Sequence, residues 1–379
     1  MTKFFDVCIR GDGVVGRSLA LLLAKERLKV ALVTPPDKPP TTDIRAYALN
    51  SASKQLLESL RVWPDESFAT PIKNMQVWGD DGGSVNFNAQ AAGQVALTWI
   101  VDVPQLEVRL LQACSYQGLI ETVDAPVAAP LSIICEGQQS TSRSDIGAQW
   151  TRKPYAQKAI AARLESDLPH GGCARQWFTD HGEVLALLPM GGAQGNCLAL
   201  VWSISDEHAA QLEHLPPEEF CNLLKAACRY NVNNMDSLGN MRLTSSRSSW
   251  PLALGSADRW VGPGWALAGD AAHTVHPLAG QGLNLGLADA VGLCQVLAAR
   301  EYWRSLGDEK LLRRYERARK AEVAAVGVVT DGLQLLFSQT QPAWQSVRNW
   351  GMNGFAANQP LKNWLTKRAA GKRATAPTF

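Results

Sequence analysis

Residues 265–290, WALAGDAAHTVHPLAGQGLNLGLADA, restrict what this chain can fold into more than any other stretch. Trp265 to Ala268 is an apolar run of buried-strand length, and it stops at Gly269-Asp270. A carboxylate at the end of a buried strand is well placed to hold a sugar or polyol hydroxyl. Pro277, Gly280 and Gly282 then let the backbone pass close to a flat ligand, because no side chain intrudes. From Leu283 the apolar residues recur at 283, 287, 291, 294 and 297, the period of a helix. A helix that begins at those glycines points its first amides back at the same spot and favours negative charge there. A strand, a Gly/Pro loop and a core helix with no ligand would use the same pieces. The unbroken order of GD, HxxHPxxGQGxN and helix favours a cofactor site.

The start of the chain repeats the theme. Phe4 to Ile9 reads as a short strand, Gly11-Asp12-Gly13-Val14-Val15-Gly16 as a turn, and Val15, Leu19, Leu22 and Leu23 as one helix face. Val30 to Val33 is the next strand, which completes a βαβ unit. A lone GxGxxG is weak, but between a strand and a helix it is a dinucleotide fingerprint. Gly11 makes the turn, Gly13 admits a pyrophosphate to the helix N-terminus, and Gly16 allows close helix–strand packing. A carboxylate is expected at the end of the second strand to bind a ribose, and Thr34 stands there instead. Arg10 and Asp12 are also unusual neighbours for a pyrophosphate.

Together these residues resemble the FAD-dependent aromatic-ring hydroxylases of the p-hydroxybenzoate hydroxylase superfamily. The GDAAHTVHPLAGQGLNLGLAD wording looks most like the branch that hydroxylates the ring during ubiquinone biosynthesis. Residues 43–63, DIRAYALNSASKQLLESLRVW, read as a loop entering a helix and are similar to that branch's D-x-R-x-x-A-L element. The resemblance implies that FAD lies along Gly11, Gly13, Val14, Val15 and Gly16, with Arg45 in contact. It implies that Gly269 and Asp270 hold the ribityl chain, and that Pro277, Gly280, Gln281, Gly282, Leu283 and Asn284 border the isoalloxazine ring. The chemistry is borne by the flavin, so no protein side chain is assigned as catalytic. NAD(P)H is the implied reductant, O2 the oxygen source, and a small lipophilic aromatic molecule, best a prenylated phenol or quinone precursor, the substrate. Two features depart from the family. Cys135-Glu136-Gly137-Gln138-Gln139-Ser140-Thr141-Ser142-Arg143 stands where A-D-G-x-x-S-x-x-R is usual, and a short proline-broken segment, 119–134, replaces a three-stranded meander. That motif touches both FAD and the nicotinamide cofactor in the superfamily; from its residues alone, 136–145 is a polar loop.

The expected fold class is α/β (α+β overall). A Rossmann-like FAD-binding domain (1–70, 101–155 and 255–307) is interleaved with a β-sheet substrate domain (71–100 and 156–254), and 308–379 form a helical C-terminal region. Around Asp80-Asp81-Gly82-Gly83 the alternation of Met75, Val77, Val85 and Phe87 predicts a hairpin, and a helix is expected over 104–117. Lys158–Leu164, Cys173–Thr179, Val184–Met190 and Cys197–Ser203 are strand-length runs. Pro216-Pro217-Glu218-Glu219 opens a helix with Arg229 near its end. Trp177, Phe178, Leu187, Pro189 and Met190 fit a pocket wall or, preferably, ordinary core.

Composition narrows the function classes. With 37 basic and 35 acidic residues, no global basic field recruits nucleic acid. The eight cysteines form no CxxC pair, so neither a zinc cage nor a disulfide framework is implied, and a reducing cytoplasm is expected. His273 and His276 are i, i+3 in a loop without a third ligand, which makes them scaffold and leaves no metal site. No signal peptide is read at the start, and no uncharged run reaches the roughly 18 residues of a membrane span. The end of the chain interleaves Lys362, Lys367, Arg368, Lys372 and Arg373 with Leu361, Trp364 and Leu365. That suits a peripheral contact with a membrane or a biosynthetic complex, or equally a solvated tail. A flavin-dependent reductase of the same fold and a non-catalytic subunit are the rival functions.

Overall fold

The apolar runs before Gly11, Gly137 and Gly269 become parallel strands of one sheet. The computed structural model describes residues 4–34, 43–79, 83–179, 182–228, 238–275 and 280–338. Its six-stranded sheet has the order Val261–Gly262, Trp265–Leu267, Leu131–Ile134, Val7–Arg10, Val30–Val33 and Ile120–Val123. All neighbours are parallel except the first pair. Strands buried on both faces read as continuous aliphatic runs, and Val7, Ile9, Val30, Leu131 and Ile133 are indeed fully buried. The segment 119–134, short as it is, supplies two of these parallel strands.

The helix Val14–Lys25 leaves the first strand and buries Leu19, Leu23 and Ala20. It packs against the long helix Gln281–Ala298, which in turn packs against the helix Glu309–Ser338. Gly286 makes the first of these contacts possible: a Cβ there would come within 2.7 Å of the Val15 side chain. Among the described residues no helix is long and apolar enough to cross a membrane.

The second sheet has nine strands, and its spine is the strand Trp150–Ser166. That strand is longer than the expected Lys158–Leu164 because it continues through a register shift between Pro154 and Lys158, where Ala156 has φ +53°. Antiparallel partners Cys197–Ser205, Val184–Pro189, Ser248–Ala257 and Cys173–Phe178 extend the sheet, and the hairpin Asn74–Trp78/Ser84–Asn88 closes it. The turn of that hairpin at 80–82 lies outside the described residues, as do Arg229 and the basic segment 361–373. Trp177, Phe178, Leu187 and Met190 are all buried: Trp177 and Leu187 pack with residues of the helices Pro217–Cys228 and Asp206–Glu213, Phe178 with Val184, and Met190 with Ile72 and Ile100 of a further, three-stranded sheet.

A third sheet, of three strands, joins Ala46–Leu49, Thr98–Asp102 and Ala69–Ile72. The stretch read as a loop entering a helix therefore holds a strand before its helix, Ser51–Ser59. Its backbone groups pair with Thr98–Asp102, some fifty residues away, which no local pattern announces.

Candidate functional site

Three glycine-bearing turns meet at one edge of the six-stranded sheet. The strands Val7–Arg10, Leu131–Ile134 and Trp265–Leu267 are adjacent and parallel, so their C-terminal ends carry Gly11–Gly16, Cys135–Arg143 and Gly269–Asp270 side by side. The chain leaves Val7–Arg10 toward Val30–Val33 on one side and returns to Leu131–Ile134 on the other. That reversal is the switch point at which open α/β sheets bind ligands.

Gly11 is at φ +109°, and a Cβ there would lie 2.5 Å from the Cys135 carbonyl oxygen, so only glycine fits between the first two turns. Gly13 is different. A Cβ on it would meet nothing within 4 Å, and the same holds for Gly282 across the site, so both border open space. The two charges that looked misplaced are turned aside. Asp12 is buried against Arg17 at 3.0 Å, and Arg10 donates to the Ser142 hydroxyl at 3.2 Å. The helix Val14–Lys25 has no side-chain cap on its first amides, which leaves them to a ligand.

Asp270 follows Gly269 directly, and Gly269 takes the left-handed φ of +63°. The Asp270 side chain is open to solvent but stands in a cleft dense with protein atoms. The loss of water on those sides raises its pKa, while His273 and Arg45 work in the opposite direction. Arg45 reaches the same cleft from the start of the three-stranded sheet. Its guanidinium is held by both Asp43 oxygens, at 3.0 Å to Oδ2 from Nε and 2.9 Å to Oδ1, and by Glu107 at 3.3 Å. Tyr47 lies between these groups, half-buried, and burial raises its pKa, so it remains a neutral hydroxyl donor.

Gly280 caps the helix Gln281–Ala298 in the left-handed region, φ +58°, again without a side-chain cap. A Cβ there would be 3.3 Å from Ala48, so this turn is pressed onto the strand Ala46–Leu49. Asn284 makes the seam. Its amide oxygen accepts from Asn50 N at 3.0 Å and Ser53 Oγ at 2.7 Å, and its nitrogen donates to Ala48 O at 2.8 Å. The side chain is thus bound to protein, and Asn284 borders the site by shaping it. Gln281, Gly282 and Leu283 form the first turn behind it. His276 and Pro277 lie outside the described residues.

Glu136, the departure in the middle motif, closes on its own loop. It accepts from Ser140 Oγ at 2.7 Å and from Ser142 Oγ and N, and the polar stretch folds into the short helix Ser142–Asp145. Arg143 is buried, stacks on Trp150 at 3.9 Å and donates to the Ala271 carbonyl at 3.1 Å. This ties the middle motif to the Gly269-Asp270 turn. His273 is scaffold, as its position suggests: it is buried, stacked on Trp260 and bonded to Asp289 at 2.7 Å.

An uncapped, glycine-lined helix start, a carboxylate in a cleft and a backbone turn with open space beside it suit a flavin dinucleotide's pyrophosphate, polyol and ring in turn. The family pattern described as FAD binding domain matches residues 116–329. A ubiquinone hydroxylase of Rhodospirillum rubrum is 31% identical over 99% of this chain and 91% of its own length. This chain belongs to the FAD-dependent monooxygenases.

The 3-demethoxyubiquinol 3-hydroxylase of Escherichia coli is 28% identical to this monooxygenase, covering 97% of the chain and 98% of that protein. A probable FAD-dependent monooxygenase from Pseudomonas aeruginosa shares its fold, with a TM-score of 0.76 at 20% identity over 93% of this chain and all of that one. Reasoning from the sequence passed over Asp289, Arg319, Tyr47 and Arg163 in this enzyme. Arg163 crosses from the large sheet to donate to Arg45 O at 2.9 Å and Asp102 at 3.1 Å. An aspartate inside the apolar helix Gln281–Ala298 was the sequence signal for Asp289.

Proposed function

We propose that this monooxygenase hydroxylates the ring of a lipophilic phenol or quinol, with NAD(P)H as reductant and O2 as the source of the inserted oxygen. The convergence of three glycine-bearing turns at the switch point carries this reading. Bound FAD supplies the redox and oxygen-activating chemistry. In this account Gly11, Gly13 and Gly16, with Val14 and Val15, seat the pyrophosphate, and Asp270 accepts hydroxyls of the ribityl chain. Arg45 offers a guanidinium at the same cleft. The uncapped amides of Gln281, Gly282 and Leu283 favour negative charge on the ring. The large sheet, whose Arg163 reaches Arg45, forms the substrate side in this account, the role expected of 71–100 and 156–254.

The relatives named for ubiquinone and demethoxyubiquinol hydroxylation support a prenylated aromatic substrate. Such a substrate partitions into lipid, which fits a peripheral membrane contact through the basic, tryptophan-bearing segment 361–373 of an otherwise cytoplasmic protein. The test is aerobic turnover of the purified FAD-loaded enzyme with NADPH or NADH and a short-chain prenylated phenol. Mass spectrometry should find one oxygen added to the ring, and isotope-labelled O2 should label it. Oxidation of the nicotinamide with hydrogen peroxide as the only oxygen product would overturn the hydroxylase reading in favour of a reductase.

A further inference from the structure

Behind the Gly269-Asp270 turn lies a closed polar cluster that none of the proposed cofactor contacts includes. Asp289, in the middle of the apolar helix Gln281–Ala298, has no exposed surface. Its Oδ2 accepts from the Gly269 backbone N–H at 2.9 Å and from His273 Nε2 at 2.7 Å. Its Oδ1 accepts from Arg319 Nε at 2.7 Å. Arg319 is 4% exposed, comes from the C-terminal helix Glu309–Ser338, donates also to Leu285 O at 3.2 Å, and pairs with Glu322. A carboxylate in an apolar interior is costly unless it is paired and hydrogen-bonded. Here both of its oxygens are engaged, and one of the three donors is the N–H of Gly269, the residue before Asp270.

We propose that Asp289 and Arg319 are positioning residues for FAD. Asp289 fixes the Gly269 peptide in its left-handed conformation, which aims Asp270 into the cleft, and Arg319 holds Asp289 in place from the C-terminal helix. The argument has three steps. Gly269 at φ +63° is one of several conformations open to a glycine, so something outside the residue must select it. The 2.9 Å bond to a buried carboxylate is charge-assisted and does so. That carboxylate would keep only His273 and the Gly269 N–H as partners without Arg319, so through Arg319 the C-terminal helix becomes part of the support of the cofactor site. Asp289 and Arg319 touch neither cofactor nor substrate in this scheme; they act through Gly269 and Asp270.

The inference rests on the assignment of Asp270 to FAD, so its test must keep the two apart. Asp289→Asn, Arg319→Lys and Asp270→Asn are made singly, and the first two also in the Asp270→Asn background. Each folded apo-protein, checked by circular dichroism, is titrated with FAD by flavin fluorescence. We expect Asp289→Asn to weaken FAD binding about tenfold and Arg319→Lys about threefold, from the loss of charge-assisted geometry. In the Asp270→Asn background both further losses should nearly vanish, because both residues act through Asp270. A merely structural role would lower the melting temperature and leave this coupling absent. Parental FAD affinity in the folded Asp289→Asn and Arg319→Lys proteins, or losses that add in full to that of Asp270→Asn, would overturn the inference. Should Asp289→Asn not fold, Arg319→Lys in the two backgrounds decides by the same criteria. Unchanged FAD affinity in Asp270→Asn itself would overturn the site assignment and this inference with it.

Discussion

Asp270 and Asp289 sit nineteen positions apart in one motif and have opposite environments. Asp289 is sealed, and both of its oxygens accept hydrogen bonds, from Gly269, His273 and Arg319. Asp270 is open at the mouth of a cleft, and the cleft walls raise its pKa. Burial opposes ionisation of Asp289 as well, but His273 and Arg319 outweigh it and hold the carboxyl below its usual range. One carboxylate is satisfied by the protein; for the other, no hydrogen bond is made among the described residues. The difference teaches how to separate scaffold from site where residue type and motif membership do not: the scaffold group has its partners inside the chain.

The comparison predicts separable losses. Asp289→Ala takes from the buried Arg319 guanidinium its buried partner, leaving it Glu322 and the Leu285 carbonyl, and should lower folding stability by about 3–5 kcal/mol, read by urea unfolding of the apo-protein. Equal stability of Asp289→Ala and Asp270→Ala would erase the distinction. Asn284→Ala strips partners from Asn50 N, Ser53 Oγ and Ala48 O, and the unmet groups should cost about 2–3 kcal/mol with FAD affinity falling as the seam loosens.

The pH dependence sharpens the same contrast. A carboxyl whose pKa is lowered on folding adds stability above its unfolded value near 3.8, and that stability disappears as pH falls through the lower native value. Unfolding free energy of the parent should therefore drop on acidification below about pH 4, with a shallower slope in Asp289→Asn. An identical slope would mean that Asp289 does not carry the lowered pKa. The smallest effect is at the ribose end. Thr34 offers one uncharged hydroxyl where two ribose hydroxyls want a carboxylate, so Thr34→Glu should tighten FAD about fivefold, or about 1 kcal/mol. Weaker binding would show that the adenosine is held by other groups.

Much of the fold was legible because its signals are local. Strand, glycine turn and helix succeed one another at 4–34, which folds as that order predicts, and the described residues of 265–298 add to the expected strand and helix a two-residue strand, His273–Thr274. What escaped depends on distant partners. Ala46–Leu49 is four residues long and is a strand only because Thr98–Asp102 lies beside it. The helix Asp206–Glu213 had a readable start in Ser205, whose hydroxyl accepts from His208 N at 3.2 Å, but the strand before it runs directly into that cap. At the site, glycines were legible by spacing and Asp270 by its place after a strand. Asp289 was not, since Arg319 is thirty residues further along and no spacing rule joins an aspartate in one helix to an arginine in the next. Asn284 was expected at the site from the resemblance alone; that its side chain clamps two elements together is visible only in three dimensions.

The central claim is that the open carboxylate, Asp270, holds FAD. The direct measurement is titration of apo-protein with FAD by flavin fluorescence for the parent and Asp270→Ala, with the apo melting temperature of each. A charged hydrogen bond contributes roughly 1.5–3 kcal/mol, so FAD affinity should fall about ten- to a hundredfold. The apo melting temperature should stay within a degree or two, because an exposed carboxylate with a raised pKa adds little to folding. Parental FAD affinity in a folded Asp270→Ala protein would contradict the account.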